Sequence, residues 1–219
     1  MYTVLKDTPL NELLTKPVLF DANIFMVGIE DRISDPNCSF ENITNLFILP
    51  LLESFKCVYI HEQVYRELDT QSRAFVDLYI GKNVHLVNDE ELLGKDPKYT
   101  TIFNNIAKHE LVNYVIGSSK DRGEVYSMAY AAYHGVNFFS SREIMVELVS
   151  NDLEDLKDVS IITLDIIILV AVCYYAKKND TSFDQALKSV YKRYCRDVIK
   201  RHHLPKTLSE YIKESNEYL

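Results

Sequence analysis

The sequence has few glycines and prolines and no long hydrophobic run. Only six of its 219 residues are Gly and six are Pro, which excludes a fibrous repeat and argues against a disordered chain. The longest apolar run, 166–176, is eleven residues. It is too short to cross a bilayer, which takes roughly 20 residues. We interpret it as a buried helix and expect no membrane span.

The sequence also lacks the marks of an exported protein. Lys6, Asp7 and Glu12 interrupt the N-terminal stretch, where a secretory signal would have an uninterrupted apolar segment. The four cysteines lie far apart and form no CxxC pair, which is typical of reduced thiols rather than of disulfides or a zinc site. These absences predict a cytoplasmic location.

Acidic residues predominate, but basic residues are concentrated near the C-terminal end. The segment from Lys177 to Lys206 has nine Lys or Arg against three acids, a local charge of +6. Because the whole chain carries −8, the remainder carries −14. A polyanion would be attracted to the basic segment and repelled by the rest of the chain.

Short apolar segments alternate with longer helical patterns. Four segments are nearly continuous in apolar, β-branched and aromatic residues, as strands buried on both faces should be: 17–22, 56–61, 135–140 and 159–164. Strands that alternate with helices predict a three-layer α/β/α sandwich with a mostly parallel central sheet.

Two helices are predicted between the strands. One covers 61–80 with an apolar stripe, and the other covers 122–135 and ends at Gly135, a natural helix stop. The stripe of the first helix consists of Val64, Leu68, Phe75, Leu78 and Tyr79.

After residue 165 the pattern is helical to the end. Ser182 and Gln185 have the spacing of a capping box, which predicts the start of a further helix. We therefore expect one domain over 1–165 and a helical extension over 166–219 that packs on the same domain.

Four acidic residues follow the predicted strands. Asp21 stands at the end of the first strand, Glu67 lies in the helix after the second, and Asp121 and Glu124 begin the helix over 122–135. A helix cap or a solvated position explains each acid when it is considered alone. Because the carboxyl ends of parallel strands meet at one edge, where ligands gather, the four acids together favour a functional site.

The order of these motifs resembles a PIN domain, the nuclease fold of bacterial toxin ribonucleases and many RNA-processing enzymes. The resemblance covers roughly 15–165 and is carried by "VLFDAN", "YIHEQVYREL", "KDRGEVYSMAYAAYHG" and "FFSS". It implies that the four acids are metal-binding and catalytic residues, and that the asparagine after the first aspartate orients it. The residues concerned are Asp21, Glu67, Asp121, Glu124 and Asn23.

The sequence departs from the family pattern after the fourth strand. The family usually has Thr or Ser followed closely by an aspartate, whereas this chain has Ser140, Ser141, Arg142 and Glu143. Glu143 is the nearest carboxylate and is a candidate to compensate. Ser140 or Ser141 is a candidate to bind a metal ligand or the scissile phosphate.

The resemblance implies Mg²⁺ or Mn²⁺ as cofactor and hydrolysis of phosphodiester bonds in single-stranded RNA. A basic helix near the C-terminal end offers contacts to RNA phosphates. A solvated helix face over an apolar stripe explains the same pattern and stays an open alternative. The predicted contacts are Lys188, Lys192, Arg193, Arg196, Lys200 and Arg201.

Other functions stay open. A PIN scaffold without catalysis would bind RNA or a protein partner, and Arg142 would then occupy the place of a second metal. A phosphatase of the haloacid dehalogenase type also begins with a strand-end aspartate, but Asn23 occupies the place of its second acid. A homodimer and an antitoxin-like protein partner are further alternatives.

Overall fold

Five parallel strands form the central sheet of the computed structural model, which describes residues 13–26, 44–114, 121–141, 143–162, 164–182 and 185–186. The strand order is β3-β2-β1-β4-β5. The strands are β1 (Pro17–Phe20), β2 (Cys57–His61), β3 (Val84–Val87), β4 (Phe138–Ser140) and β5 (Ser160–Ile162).

The sheet is parallel throughout. Val18 of β1 pairs with Val58 of β2 on one side and with Phe138 of β4 on the other. The three apolar residues that follow Pro17 in β1 are fully buried, because a central parallel strand is covered on both faces. Helices lie on both sides of the sheet. The predicted α/β fold with a mostly parallel central sheet is therefore confirmed.

Helices connect the strands. The described helices are α1 (22–26), α2 (Leu49–Ser54), α3 (Glu62–Glu67), α4 (Thr70–Asp77), α5 (Pro97–Ala107), α6 (Arg122–His134), α7 (Ile144–Asp152) and α8 (Leu164–Lys178). A π-helical turn, Thr44–Ile48, precedes α2, and short 3₁₀ helices cover Glu90–Leu92 and Glu154–Leu156.

The helix predicted over 61–80 is divided into α3 and α4, so the prediction of one helix was wrong. Asp69 caps α4, because its Oδ1 accepts hydrogen bonds of 2.7 and 2.9 Å from two backbone N–H groups of the first turn. Leu68 is extended and buried. Because of this break, α4 does not continue the apolar stripe of α3. Leu78, which was predicted to belong to the stripe, is 60% exposed.

Two local predictions of helix ends are confirmed. Gly135 follows α6 with φ of 70°, a left-handed conformation that glycine adopts without strain. Ser182 and Gln185 form the predicted capping box. The Gln185 N–H donates to Ser182 Oγ and the Ser182 N–H donates to Gln185 Oε1, both at 3.3 Å.

Two compact units make up the chain. One contains Lys16–Met26 and Phe55–Thr163, and so includes the whole sheet. Its hydrophobic core joins α5, α6, α7 and the strands through residues such as Leu19, Ile106, Met128 and Phe139.

The described part of the other unit includes α2 and α8, which pack against each other. The apolar run 166–176 lies in α8, and several of its residues are buried, including Ile166, Val170 and Val172. The predicted buried helix is therefore confirmed. In the part of the chain that the structure describes, no helix is long and apolar enough to cross a membrane. The domain boundary predicted at 165 stays a prediction.

Candidate active site

The candidate site lies where the strand order of the sheet reverses. β2 and β3 extend from one side of β1, whereas β4 and β5 lie on its other side. Connections leave such a point in opposite directions and open a crevice at the carboxyl ends of the strands. Asp21 follows β1, and its N–H donates to the carbonyl of Ser140, the last residue of β4, at 3.0 Å. Asp21 therefore lies at the carboxyl end of the sheet, between β1 and β4.

Asp21 is fully buried and accepts three hydrogen bonds. Its Oδ1 accepts from the Ala22 N–H at 2.8 Å. Its Oδ2 accepts from Asn23 Nδ2 at 2.7 Å and from Ser141 Oγ at 3.0 Å. A buried carboxylate is unfavourable without such donors. The predicted contact between Asn23 and Asp21 is thus present, and Asp21 also bonds the first residue of α1.

The accessory residues after β4 divide into two groups. Ser141 bonds Asp21, and the Glu143 N–H donates to Ser141 Oγ at 3.2 Å. Glu143 Oε1 accepts from Asn23 Nδ2 at 3.3 Å. Ser140 instead donates from Oγ to the Ile162 carbonyl of β5 at 3.2 Å. Ser141 and Glu143 therefore belong to the site, whereas the Ser140 hydroxyl bonds β4 to β5 within the sheet. Arg142 lies outside the described residues.

Glu67 ends α3 and packs against the first turn of α6. Its Oε1 accepts from the Gly123 N–H at 3.1 Å. A Cβ atom on residue 123 would lie 3.0 Å from both Glu67 carboxyl oxygens and 3.1 Å from Val64 Cγ2. Sequence reasoning missed Gly123. Its signal is a glycine, a poor helix former, in the first turn of a helix and between two acids.

Asp121 and Glu124 occupy different environments at the start of α6. Asp121 has a left-handed backbone with φ of 53° and makes no side-chain cap to the helix. Its Oδ2 instead accepts from the Asn113 N–H at 2.7 Å. Glu124 is half-buried in the first turn. Asp121 therefore bonds Asn113, while the charge of Glu124 raises the pKa of Glu67.

The pKa of Asp21 is raised from 3.8 to about 7. Burial is the largest cause. The hydrogen bonds from Ser141 and Ala22 oppose it, and repulsion by Glu67 and Glu143 adds to it. Asp21 thus experiences the charges of two acids that lie 46 and 122 positions away in the sequence.

The same effects raise the pKa of two further acids. The pKa of Glu124 rises to about 8, through burial first and then through repulsion by Asp21, Asp121 and Glu143. Glu67 is an exposed residue, but its carboxyl end lies on Gly123. Desolvation of this end, followed by repulsion from Glu124, raises its pKa to about 7.

We call Asp21, Glu67, Glu124 and Glu143 the acid cluster. Its members influence one another's charge although they come from four different parts of the chain. Asp121 contributes a repulsive charge from its edge. Several carboxyls with raised pKa values at one sheet edge are typical of a functional site.

The acid cluster has the chemistry of a hard-metal site, but its side chains are not drawn together as ligands. Among the residues that the structure describes, no three His, Cys, Asp or Glu side chains are placed to hold a metal ion. Carboxylate oxygens are the ligands that Mg²⁺ and Mn²⁺ prefer. A cation would also offset the repulsion within the cluster. The donor set therefore fits the predicted cofactor, which stays a prediction.

The predicted RNA contacts cannot be placed at this site. Lys188, Lys192, Arg193, Arg196, Lys200 and Arg201 all lie outside the described residues.

No protein-family model matches the chain, and no curated protein or solved structure matches it either. The resemblance to PIN domains stays a prediction that depends on the motifs of the sequence.

Proposed function

We propose that the protein is a metal-dependent ribonuclease that hydrolyses phosphodiester bonds in single-stranded RNA. The observation that carries the proposal is the acid cluster at the switch point of the sheet. In it, Asp21, Glu67 and Glu124 all have raised pKa values. The PIN-like order of motifs in the sequence supports the same function.

A purely structural role explains the acid cluster poorly. The bond between Asp21 Oδ1 and the Ala22 N–H joins the carboxylate to the first residue of α1, whereas a helix cap would accept from the second or third residue. A cap also requires neither burial of the carboxylate nor neighbouring acids. Mutual repulsion of partly buried carboxyls lowers the stability of the folded state. Such an arrangement is expected where a positively charged ligand is part of the function.

Asp21, Glu67 and Glu124 are the residues that would hold Mg²⁺ or Mn²⁺. When bound, the cation supplies an activated water and neutralises charge on the phosphate. Asn23 and Ser141 orient Asp21, because both donate to its Oδ2. Glu143 compensates for the acid that the family pattern places after the fourth strand. It contacts Asn23, and its charge raises the pKa of both Asp21 and Glu124.

A second candidate is a scaffold of the same fold that binds RNA or a protein partner without cutting it. The observation that favours it is the absence, among the described residues, of three side chains placed to hold a metal ion. Under this alternative, the raised pKa values would keep the acids protonated near neutral pH rather than ready for a cation.

Cleavage of labelled single-stranded RNA by the purified protein with Mn²⁺ tests the ribonuclease. We expect cleavage by the unaltered protein, loss of it in Asp21→Asn, and normal cleavage by the control Asp158→Asn. Asp158 is exposed and lies just before β5, at the opposite edge of the sheet. Calorimetric titration with Mn²⁺ separates the two candidates. Binding that Asp21→Asn abolishes supports the enzyme, and no binding with no cleavage supports the scaffold.

A further inference from the structure

Two arginines beside the acid cluster converge on one carboxylate. Arg66 Nη1 lies 3.1 Å from Glu90 Oε1, and Arg122 Nη2 lies 3.6 Å from Glu90 Oε2. Arg66 precedes Glu67 in α3, and Arg122 begins α6 beside Gly123. Both guanidinium groups therefore belong to residues next to the Glu67–Gly123 contact of the site.

Arg122 is held in place but is not fully bonded. Its guanidinium carbon lies 5.7 Å from the centre of the Tyr126 ring, and its side chain is only 33% exposed. Among the described residues, its buried Nε atom has no hydrogen-bond partner. A buried N–H without an acceptor is unfavourable. Arg122 is therefore partly buried, and its guanidinium group is held in place beside the acids.

The charge of Arg122 reaches the acid cluster. It lowers the pKa of Glu67 and so opposes the desolvation and the repulsion from Glu124 that raise it. A group bound by Arg122 would thus lie close to Glu67.

Glu90 is placed to act as a substitute for a ligand. It begins the short 3₁₀ helix after β3, where its N–H donates to Asn88 Oδ1 at 2.9 Å. Its side chain is 26% exposed, so it can be displaced from the solvent side. A carboxylate between two arginines presents two anionic oxygens, as a phosphodiester does. The planar guanidinium fork suits both groups.

A surface ion-pair network is the simpler explanation of these contacts. Arg66 also pairs with Glu62 at 2.9 Å, one helical turn earlier, and exposed pairs of this kind contribute little stability. That explanation suits Arg66, which is 55% exposed, better than Arg122, which is 33% exposed and packs against the Tyr126 ring.

We propose that Arg66 and Arg122 bind a backbone phosphate of the RNA substrate, and that Glu90 occupies this position in the free protein. The inference rests on the proposed ribonuclease function, because it assigns a contact to the substrate of that site. Since a non-reacting phosphate is held here, the two arginines act by positioning the RNA against the acid cluster.

RNA binding without cleavage tests the proposal. A fluorescein-labelled single-stranded RNA is titrated with the Asp21→Asn protein in the absence of divalent cations, and its anisotropy gives Kd over a range of salt concentrations. In this background we expect Arg122→Gln and Arg66→Gln each to weaken binding about tenfold, as loss of a charged hydrogen bond predicts. The slope of log Kd against log salt should fall by about 0.7, the value of one phosphate contact on a single strand.

Glu90→Gln should have the opposite effect on RNA binding. It removes the competing charge, so we expect RNA to bind several-fold more tightly, and this gain should vanish in the double variant Glu90→Gln with Arg122→Gln. Lys157→Gln is the matched control for loss of one positive charge. Lys157 follows the 3₁₀ helix before β5, at the other edge of the sheet. Circular dichroism and thermal melting confirm that each variant is folded.

The outcomes separate this inference from the proposed function. If RNA binds but the arginine variants behave like Lys157→Gln, or if Glu90→Gln does not tighten binding, the phosphate contact is wrong and the ribonuclease proposal stands. If the protein neither binds nor cuts RNA, both proposals fail.

Discussion

The hydroxyl of Ser141 donates a hydrogen bond to Oδ2 of Asp21 at 3.0 Å and joins the ends of β4 and β1. This bond opposes the effect of burial on the pKa of Asp21. The bond therefore both positions the Asp21 carboxylate and favours its ionised form. Substitution of Ser141 should change both.

Ser141→Ala should lower RNA cleavage and move its pH dependence. Without this donor the pKa of Asp21 rises further, so a higher pH is needed to ionise it. We expect about a tenfold loss of rate near neutral pH, which is the typical effect of a hydrogen bond to a charged group. The rate should partly recover at higher pH, as a pH–rate profile would show.

Ser140→Ala is the matched control for this change. The Ser140 hydroxyl bonds the Ile162 carbonyl rather than an acid, so its removal should lower stability without moving the pH–rate profile. A profile that moves equally in both variants would mean that the bond to Asp21 has no special role.

The metal-free protein should lose stability as the pH rises from about 4 to about 8. Asp21 and Glu124 have folded pKa values of about 7 and about 8, compared with ordinary values of 3.8 and 4.5. Between these limits the folded state keeps protons that the unfolded state has released. The stabilisation is complete below the ordinary values and is lost as the pH passes the folded ones, with a slope of up to about 1.4 kcal/mol per pH unit for each proton.

Urea unfolding at several pH values in the presence of a chelator measures this slope. Glu124→Gln cannot ionise, so it should flatten the upper part of the pH dependence. Saturating Mn²⁺ should raise stability most at the high end of the range, because a cation favours the ionised carboxylates. A free energy of unfolding that rises steadily over this range would contradict the raised pKa values.

Gly123→Ala should reduce activity with little effect on stability. The new Cβ would lie 3.0 Å from both Glu67 carboxyl oxygens, so the flexible Glu67 side chain must move. We expect reduced cleavage and weaker Mn²⁺ binding. The melting temperature should change little, because about 1 kcal/mol of helix propensity offsets crowding against Val64. Unaltered activity would show that the position of Glu67 is unimportant.

Ala132→Gly is a suitable control in the same helix, since it changes helix propensity far from the first turn of α6. It should lower the melting temperature and leave Mn²⁺ binding as it is.

Tyr99→Phe should destabilise the fold and leave the acid cluster unchanged. Tyr99 donates from its hydroxyl to Oδ1 of the buried Asp89 at 2.8 Å, and His61 Nε2 lies 3.1 Å from the same oxygen. Loss of the hydroxyl removes a donor from a buried carboxylate, which should lower the free energy of unfolding by about 1–3 kcal/mol. Tyr133→Phe removes a bond to the more accessible Asp96 and should have a smaller effect. Urea unfolding compares the two.

The sequence predicted the parts of the fold that depend on neighbouring residues. Buried apolar runs marked strands such as β1 and β4, and Gly135 marked the end of α6. The break at Asp69 was missed because a side-chain cap there outweighs the continuing apolar spacing. Leu78 was assigned to the wrong side of its helix for the same reason.

Contacts between distant residues limited the prediction of the site. Asp21, Glu67 and Glu124 were predicted to share a site because each follows a strand and because the order of the motifs resembles a PIN domain. The choice between Ser140 and Ser141 depends on the pairing of β4 with both β1 and β5, which no local pattern encodes. The close approach of Gly123 to Glu67 likewise depends on the packing of α3 against α6.

The bond from Ser141 to Asp21 joins residues 120 positions apart. Contacts over such a separation form only after the intervening chain has been closed into place. During synthesis, Asp21 emerges long before its donor does, and β1 has no β4 to pair with until most of the domain has been translated. Under the proposed ribonuclease function, the protein would stay inactive on the ribosome and would not cut the message from which it is being made until its own fold is nearly complete.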